Sequence, residues 1–150
     1  MLTLEYKIKL IDYCTMQLQN KALELQQEID EAMKISNDYG PPKDRYDGFK
    51  NQQMRKVEML SAQLHLIQED ARIYLQIDKS QALKVVRQGA LVETKDQLVF
   101  VATSLGKLDF EGRSIFVISP KVPFYEAIKG AKKESSVKFR DTTIEILDLV

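Results

Sequence analysis

Residues 3–36 read TLEYKIKLIDYCTMQLQNKALELQQEIDEAMKIS, and this run decides the fold. It holds neither Gly nor Pro and is dominated by Leu, Gln, Glu, Lys and Ala, all good helix formers. One register runs Leu4, Ile8, Ile11, Thr15, Leu18, Ala22, Leu25, Ile29, Ala32, in alternating steps of four and three, with Thr15 its only polar member. Such a repeat is a heptad seam, one apolar stripe along a helix that needs a partner helix to cover it. Gln19, Asn20, Lys21, Gln27, Glu28 and Asp30 fill the positions between and mark a solvated face.

The partner follows directly. Residues 37–43, NDYGPPK, stop the first helix: Gly40 suits a left-handed cap, and Pro41 and Pro42 cannot extend the hydrogen-bond ladder. A second register then runs Tyr46, Phe49, Gln53, Val57, Leu60, Leu64, Ile67, Ala71, Tyr74, with no Gly or Pro between Gly48 and Gly89. Two such helices joined by a short break fold back antiparallel, each covering the other's stripe. At about 1.5 Å per residue each arm is about 45–50 Å long, which predicts a rod rather than a globule.

From Gly89 the period changes. Ala90–Thr94 and Gln97–Thr103 are β-branched and apolar segments around Lys95-Asp96, and Leu108–Phe110 and Arg113–Ser119 flank Glu111-Gly112. A short helix is expected at Phe124–Lys129, closed by Gly130, and two last strands at Val137–Arg140 and Thr143–Leu149 around Asp141-Thr142. The chain therefore reads as α+β: an antiparallel coiled-coil hairpin over 1–78, with its tip near 37–47, and a small sheet domain with one short helix over 79–150. Residues 78–88 fit a linker, a helix extension or a first strand.

Composition narrows the function classes. The 22 basic and 22 acidic side chains cancel. Residues 1–78 carry net −3 and residues 79–150 net +3, far from the basic footprint of a dedicated, sequence-specific DNA binder. Cys14 is alone, so neither an intramolecular disulfide nor a thiolate metal cluster can form. No apolar run resembles a signal sequence or reaches the roughly 18 residues of a membrane span, so the cytoplasm is the expected location. Phosphate-loop, nucleophile-elbow and zinc signatures are absent from the sequence. His65 has no second His or Cys at metal-ligand spacing and reads as a surface residue beside the seam.

The stretch ISPKVPFYEAIKG over 118–130, followed by AKKESSVKF over 131–139, carries a resemblance. Strand, Ser-Pro, short helix ending in Gly-Lys, turn and closing strands make the pattern of Gre-type transcription elongation (transcript-cleavage) factors, which Pro123, Ala127, Ile128 and Gly130 match. Val122 replaces an expected Ser, and Phe124-Tyr125 replace the usual Ile/Leu-Gly. The run YDGFKNQQ over 46–53 is similar to the segment that follows the Gre tip. The layout of the whole chain resembles that family as well.

This resemblance implies an FKBP-like C-terminal domain docked on bacterial RNA polymerase and a hairpin inserted through the secondary channel toward the active site. It implies no intrinsic catalysis. Tip carboxylates would instead share a Mg²⁺ with the polymerase and stimulate cleavage of backtracked RNA, since Mg²⁺ takes hard oxygen ligands and keeps several waters. The acids near the turn are Asp38, Asp44 and Asp47. Asp44 and Asp47 have the three-residue spacing of the family's acidic pair, but aligning the Gln-Gln runs does not superpose them on it. They also suit a helix start, Asp44 as N-cap and Asp47 in the first turn. A Gre-like modulator of the channel without cleavage is equally consistent.

Lys50, Arg55 and Lys56, just beyond the tip, are candidates for contacting the 3′ end of nascent RNA, and a solvated helix face explains them too. Pro123, Phe124, Tyr125, Gly130, Lys132 and Lys133 are the polymerase-docking candidates. They lie in a basic cluster with Lys129, Lys138 and Arg140, which also fits a sheet edge guarded by cations. Two other classes compete: a coiled-coil adaptor for an unrelated protein, and a prolyl isomerase. The latter needs an aromatic-lined pocket, whereas Phe100, Phe110, Phe116, Phe124, Tyr125 and Phe139 read as core.

Overall fold

The computed structural model describes residues 2–39 and 48–150, leaving aside the side chain of Tyr39. Two long helices come first, α1 (Leu4–Tyr39) and α2 (Gly48–Gln76). Six strands follow: β1 (Leu91–Thr94), β2 (Leu98–Val101), β3 (Gly106–Phe110), β4 (Arg113–Ile118), β5 (Ser136–Phe139) and β6 (Thr142–Leu149). A short helix α3 (Pro123–Ile128) lies between β4 and β5. The Tyr6 amide donates to Thr3 Oγ1 at 3.1 Å, so Thr3 satisfies one of the N–H groups that a helix start leaves open.

The contacts divide into two compact units, one of Met1–Tyr13 with Ile73–Val150 and one of Cys14–Arg72. The sequence boundary at 78/79 marks where the chain has just left α2, whereas packing groups both ends of the hairpin helices with the sheet.

Within residues 14–72 the fold is a helical hairpin. Leu25 and Ile29 of α1 form a cluster with Leu60 of α2, flanked by Val57, Leu64 and Ile67. Nearer the turn, Ser36 Oγ lies 3.8 Å from Met54 Sδ. Rising numbers on α1 thus meet falling numbers on α2, the antiparallel sense the two seams require. Leu18, Leu25, Ile29, Ala32 and Leu60 are buried, and every one of them is a seam position. Two helices can cover one stripe each and no more, so Met16, Leu23, Met33, Ile35, Met59 and Leu66 stay exposed; Phe49, read as a seam position, is exposed as well.

In the other unit the strand order is β3-β4-β2-β1-β6-β5. All neighbours are antiparallel except β2 and β4, which run parallel from Leu98↔Ile115 to Val101↔Ile118. The chain leaves β2, forms the edge strand β3, and turns back through Glu111 (φ 49°) and Gly112 (φ 78°) into β4. Two successive positive φ values make the two-residue hairpin that matches strand twist. The last hairpin turns at Arg140 and Asp141, with Thr142 already opposite Phe139 in the ladder. That is one residue earlier than the sequence suggests.

The sheet's core gathers Val86, Ala90, Val92, Val101, Tyr125, Ile128, Ile146 and Leu149. Residues 78–88 are neither helix nor strand. They are pinned through Val86, whose N–H donates to Ala131 O (2.9 Å) and whose carbonyl accepts from Gly130 N (2.8 Å). The first residues of the chain belong to the same unit. Leu2 N donates to Asp148 Oδ2 at 2.7 Å, Lys7 Nζ to Val150 O at 3.0 Å, and Tyr6 and Tyr13 both stack on Phe110. Lys7 and Leu10 are fully buried although neither belongs to the seam, because this part of α1 has a second face to cover.

Candidate partner-binding site

The first group of candidates lies around the hairpin turn. Asp38 is exposed in the last turn of α1. Asp44 and Asp47, with the capping and metal readings attached to them, fall outside the described residues. Among the described residues, no group of three or more Asp, Glu, His or Cys side chains could hold a metal ion. Asp38 offers one carboxylate where Mg²⁺ needs a near-octahedral oxygen set. No step through Mg²⁺ follows from the described part of the hairpin.

Lys50 is half-buried near the start of α2, while Arg55 and Lys56 are exposed on the next turns. Consecutive residues on a helix point about 100° apart, so Arg55 and Lys56 flank one outer face rather than project along a single line. They could meet phosphates only along the side of the helix.

The second group surrounds α3. Pro123 stands at the first turn of α3, where its missing N–H costs nothing. Phe124 meets Phe139 edge to face at 5.4 Å between centroids, and the Arg140 guanidinium lies 4.9 Å over the Phe139 ring. The result is a layered Phe-Phe-Arg patch at the sheet edge, with Phe124 and Phe139 half-buried and Arg140 exposed.

Not every docking candidate faces outward. Tyr125 is only 6% exposed and belongs to the sheet core, so it is a packing residue. Phe124 is half-buried against the edge of the same core, while its helix neighbour is closed into it. Gly130 adopts φ 78° and hydrogen-bonds to Val86, fixing the end of α3. Lys132 is exposed. Lys133 Nζ pairs with Asp148 Oδ1 at 3.5 Å, which removes one cation from the free cluster. Burial pushes the Asp148 carboxyl up, but the Leu2 and Leu149 amides and the Lys133 ammonium more than offset this and hold it below the usual carboxylate range.

Sequence reasoning assigned Phe139 to the core and did not foresee its stack with Phe124 and Arg140. The signal available was the pair Phe139-Arg140 at a strand end beside an aromatic helix start. Of the other aromatics read as core, Phe100, Phe110 and Tyr125 are closed into packing, whereas Phe116 is exposed because β4 alternates and turns it to the outer face. A cleft of about 330 Å³ is lined by Gln76, Ile77, Asp78, Leu83, Arg87 and Gln88, without an aromatic wall. Among the described residues no helix is long and apolar enough to cross a membrane.

Two solved structures are similar to this chain. The crystal structure of GreA factor homolog 1 (Gfh1) of Thermus thermophilus is 14% identical, with a TM-score of 0.36, over 91% of this chain and 94% of that one. A structure described as the transcription factor Gfh1 is 15% identical, with a TM-score of 0.35, over 90% and 92%. No protein-family description matches the chain, and no curated protein matches it.

Proposed function

We propose that the chain is a cytoplasmic regulator of transcription elongation. In this reading it binds bacterial RNA polymerase at the secondary channel with its hairpin directed toward the active site. The observation that carries this is the hairpin itself. Within residues 14–72 the two helices spend a single seam on each other. Two helices side by side measure about 20 Å across, a slim arm suited to entering a pore. The Pro123–Gly130 pattern and the Phe124-Phe139-Arg140 patch support docking through the sheet unit, which the resemblance describes as FKBP-like. The chain supplies no catalysis of its own. It either stimulates cleavage of backtracked RNA, through a Mg²⁺ shared at Asp44 and Asp47, or modulates the channel without cleavage. Lys50, Arg55 and Lys56 then lie where an extruded RNA 3′ end would pass.

A stalled elongation complex tests this reading. The full chain should bind it, and if the tip acids serve the polymerase the transcript should shorten from its 3′ end in Mg²⁺. Asp44→Asn with Asp47→Asn should then abolish the shortening. Binding with an unchanged transcript selects the non-cleaving modulator, and absence of binding ends the proposal.

A second reading, a coiled-coil adaptor for another protein, is favoured by one observation: large apolar side chains stand exposed along both helices, Leu23 at 59% and Leu66 at 64% among them. It expects silent tip substitutions and loss of binding on changing an exposed hairpin face.

A further inference from the structure

The outer face of α2 carries a second, unused stripe. Met59 and Leu66 lie seven residues apart on one face, 57% and 64% exposed, while Val57, Leu60, Leu64 and Ile67 turn to the seam. The positions three and four residues to either side, which flank this stripe, change character along the helix. Arg55 and Lys56 come first, Ala62 and Gln63 next, then Glu69 and Asp70. Basic, neutral and acidic steps thus follow one another at heptad spacing beside an apolar pair.

We propose that this face binds a second copy of the chain, antiparallel about a twofold axis passing between residues 62 and 63. In that register Met59 meets Leu66 of the second copy, and the reverse contact follows from symmetry. Arg55 then reaches Glu69 of the second copy on one flank of the contact and Lys56 reaches Asp70 on the other, twice over. Ala62, the smallest residue on the face, sits at the axis and permits close approach. The parallel arrangement places cation on cation and acid on acid, so the charge order selects the antiparallel one.

Arg55 and Lys56 make no ion pair among the described residues. Glu69 is held on its own helix by Arg72 (2.6 Å) and His65 (3.7 Å), which presets its carboxylate on the helix surface. The contact is a short helix pair whose charged rim is exposed at Arg55, Lys56 and Glu69 and half-buried at Asp70, well below the size of a permanent interface. The association is therefore reversible, depends on concentration and weakens with salt. It goes beyond the polymerase reading and does not depend on it.

Sedimentation of the full chain from about 5 to about 500 µM at low salt tests the mass-action behaviour. The mass should rise from 17.3 kDa toward twice that value and fall back when salt is added. The charge-reversed variant Arg55→Glu/Lys56→Glu and the variant Glu69→Lys/Asp70→Lys should each stay monomeric. Mixed together they should pair again, because each now supplies the charges the other lacks; far-UV circular dichroism checks that both remain helical. Gln63→Cys should form a disulfide between copies on oxidation, without competition from the buried Cys14. A chain that is monomeric throughout, or a dimer untouched by both reversals, overturns the proposal. So does a mixture that fails to pair.

Discussion

Replacing Lys7 by Met should leave the protein as stable or more stable at pH 7, and should remove a pH dependence that the natural chain shows above neutrality. Lys7 is fully buried with its Nζ on the Val150 carbonyl. Burial drives its pKa from the usual 10.5 down to about 8; the Asp78 carboxylate pulls it back up and Arg87 pushes it further down. Between pH 8 and 10.5 the unfolded chain therefore binds more protons than the folded one, and stability rises with pH across that window. Moving this ionisation by that much sets a ceiling of roughly 3 kcal/mol. About 1–2 kcal/mol is expected, because the ammonium keeps one hydrogen bond. Urea unfolding at pH 7, 8, 9 and 9.5 measures it. Higher pH is avoided because burial raises the Tyr6 hydroxyl pKa, and its ionisation in the unfolded chain would act in the opposite direction. A flat profile for the natural chain, or a Lys7→Met variant more than about 2 kcal/mol less stable at pH 7, would refute the assignment of a desolvated ammonium.

Other perturbations have equally definite outcomes. Leu60→Ala, at the centre of the Leu25-Ile29 cluster, should cost about 2–3 kcal/mol and raise amide exchange in the hairpin more than in the sheet. Gly89→Ala should cost about 1–3 kcal/mol by thermal melting, since Gly89 has φ 93° and a Cβ there would lie 3.1 Å from Ile77 Cγ2. Asp148→Asn should cost about 1–2 kcal/mol at neutral pH. With a depressed folded pKa, the natural chain keeps this contribution above the ordinary carboxylate value and loses it as pH falls through the folded one, which acid titration of the melting temperature will reveal.

The hairpin was legible because its signal is periodic. Leu18, Leu25, Ile29 and Ala32 of the first seam and Leu60 of the second are buried, and no tertiary information is needed to find a heptad, though the burial of Cys14 and Ser36 does not follow from it. The strands were legible within a residue or two because Lys95-Asp96 and Glu111-Gly112 announce tight turns. Lys7 was not legible: a lysine between seam positions reads as solvated, and its burial follows from an acceptor 143 residues away at Val150. The wall made by Tyr6, Tyr13 and Phe110 likewise depends on a helix meeting an edge strand distant in sequence. Around α3 the sequence could not say which of two adjacent aromatics is fully buried. Phe124 lies against Phe139, and Tyr125 is core.

Placing a cleaving probe near the end of the hairpin tests the central claim most directly. An iron chelate on Asp38→Cys, with Cys14 buried and unreactive, would generate hydroxyl radicals beside the turn once the full chain is bound to core polymerase. Cuts in polymerase segments lining the catalytic centre, absent when the chelate sits on Lys121→Cys in the sheet unit, are the predicted result. Cuts confined to the polymerase exterior would contradict insertion of the hairpin.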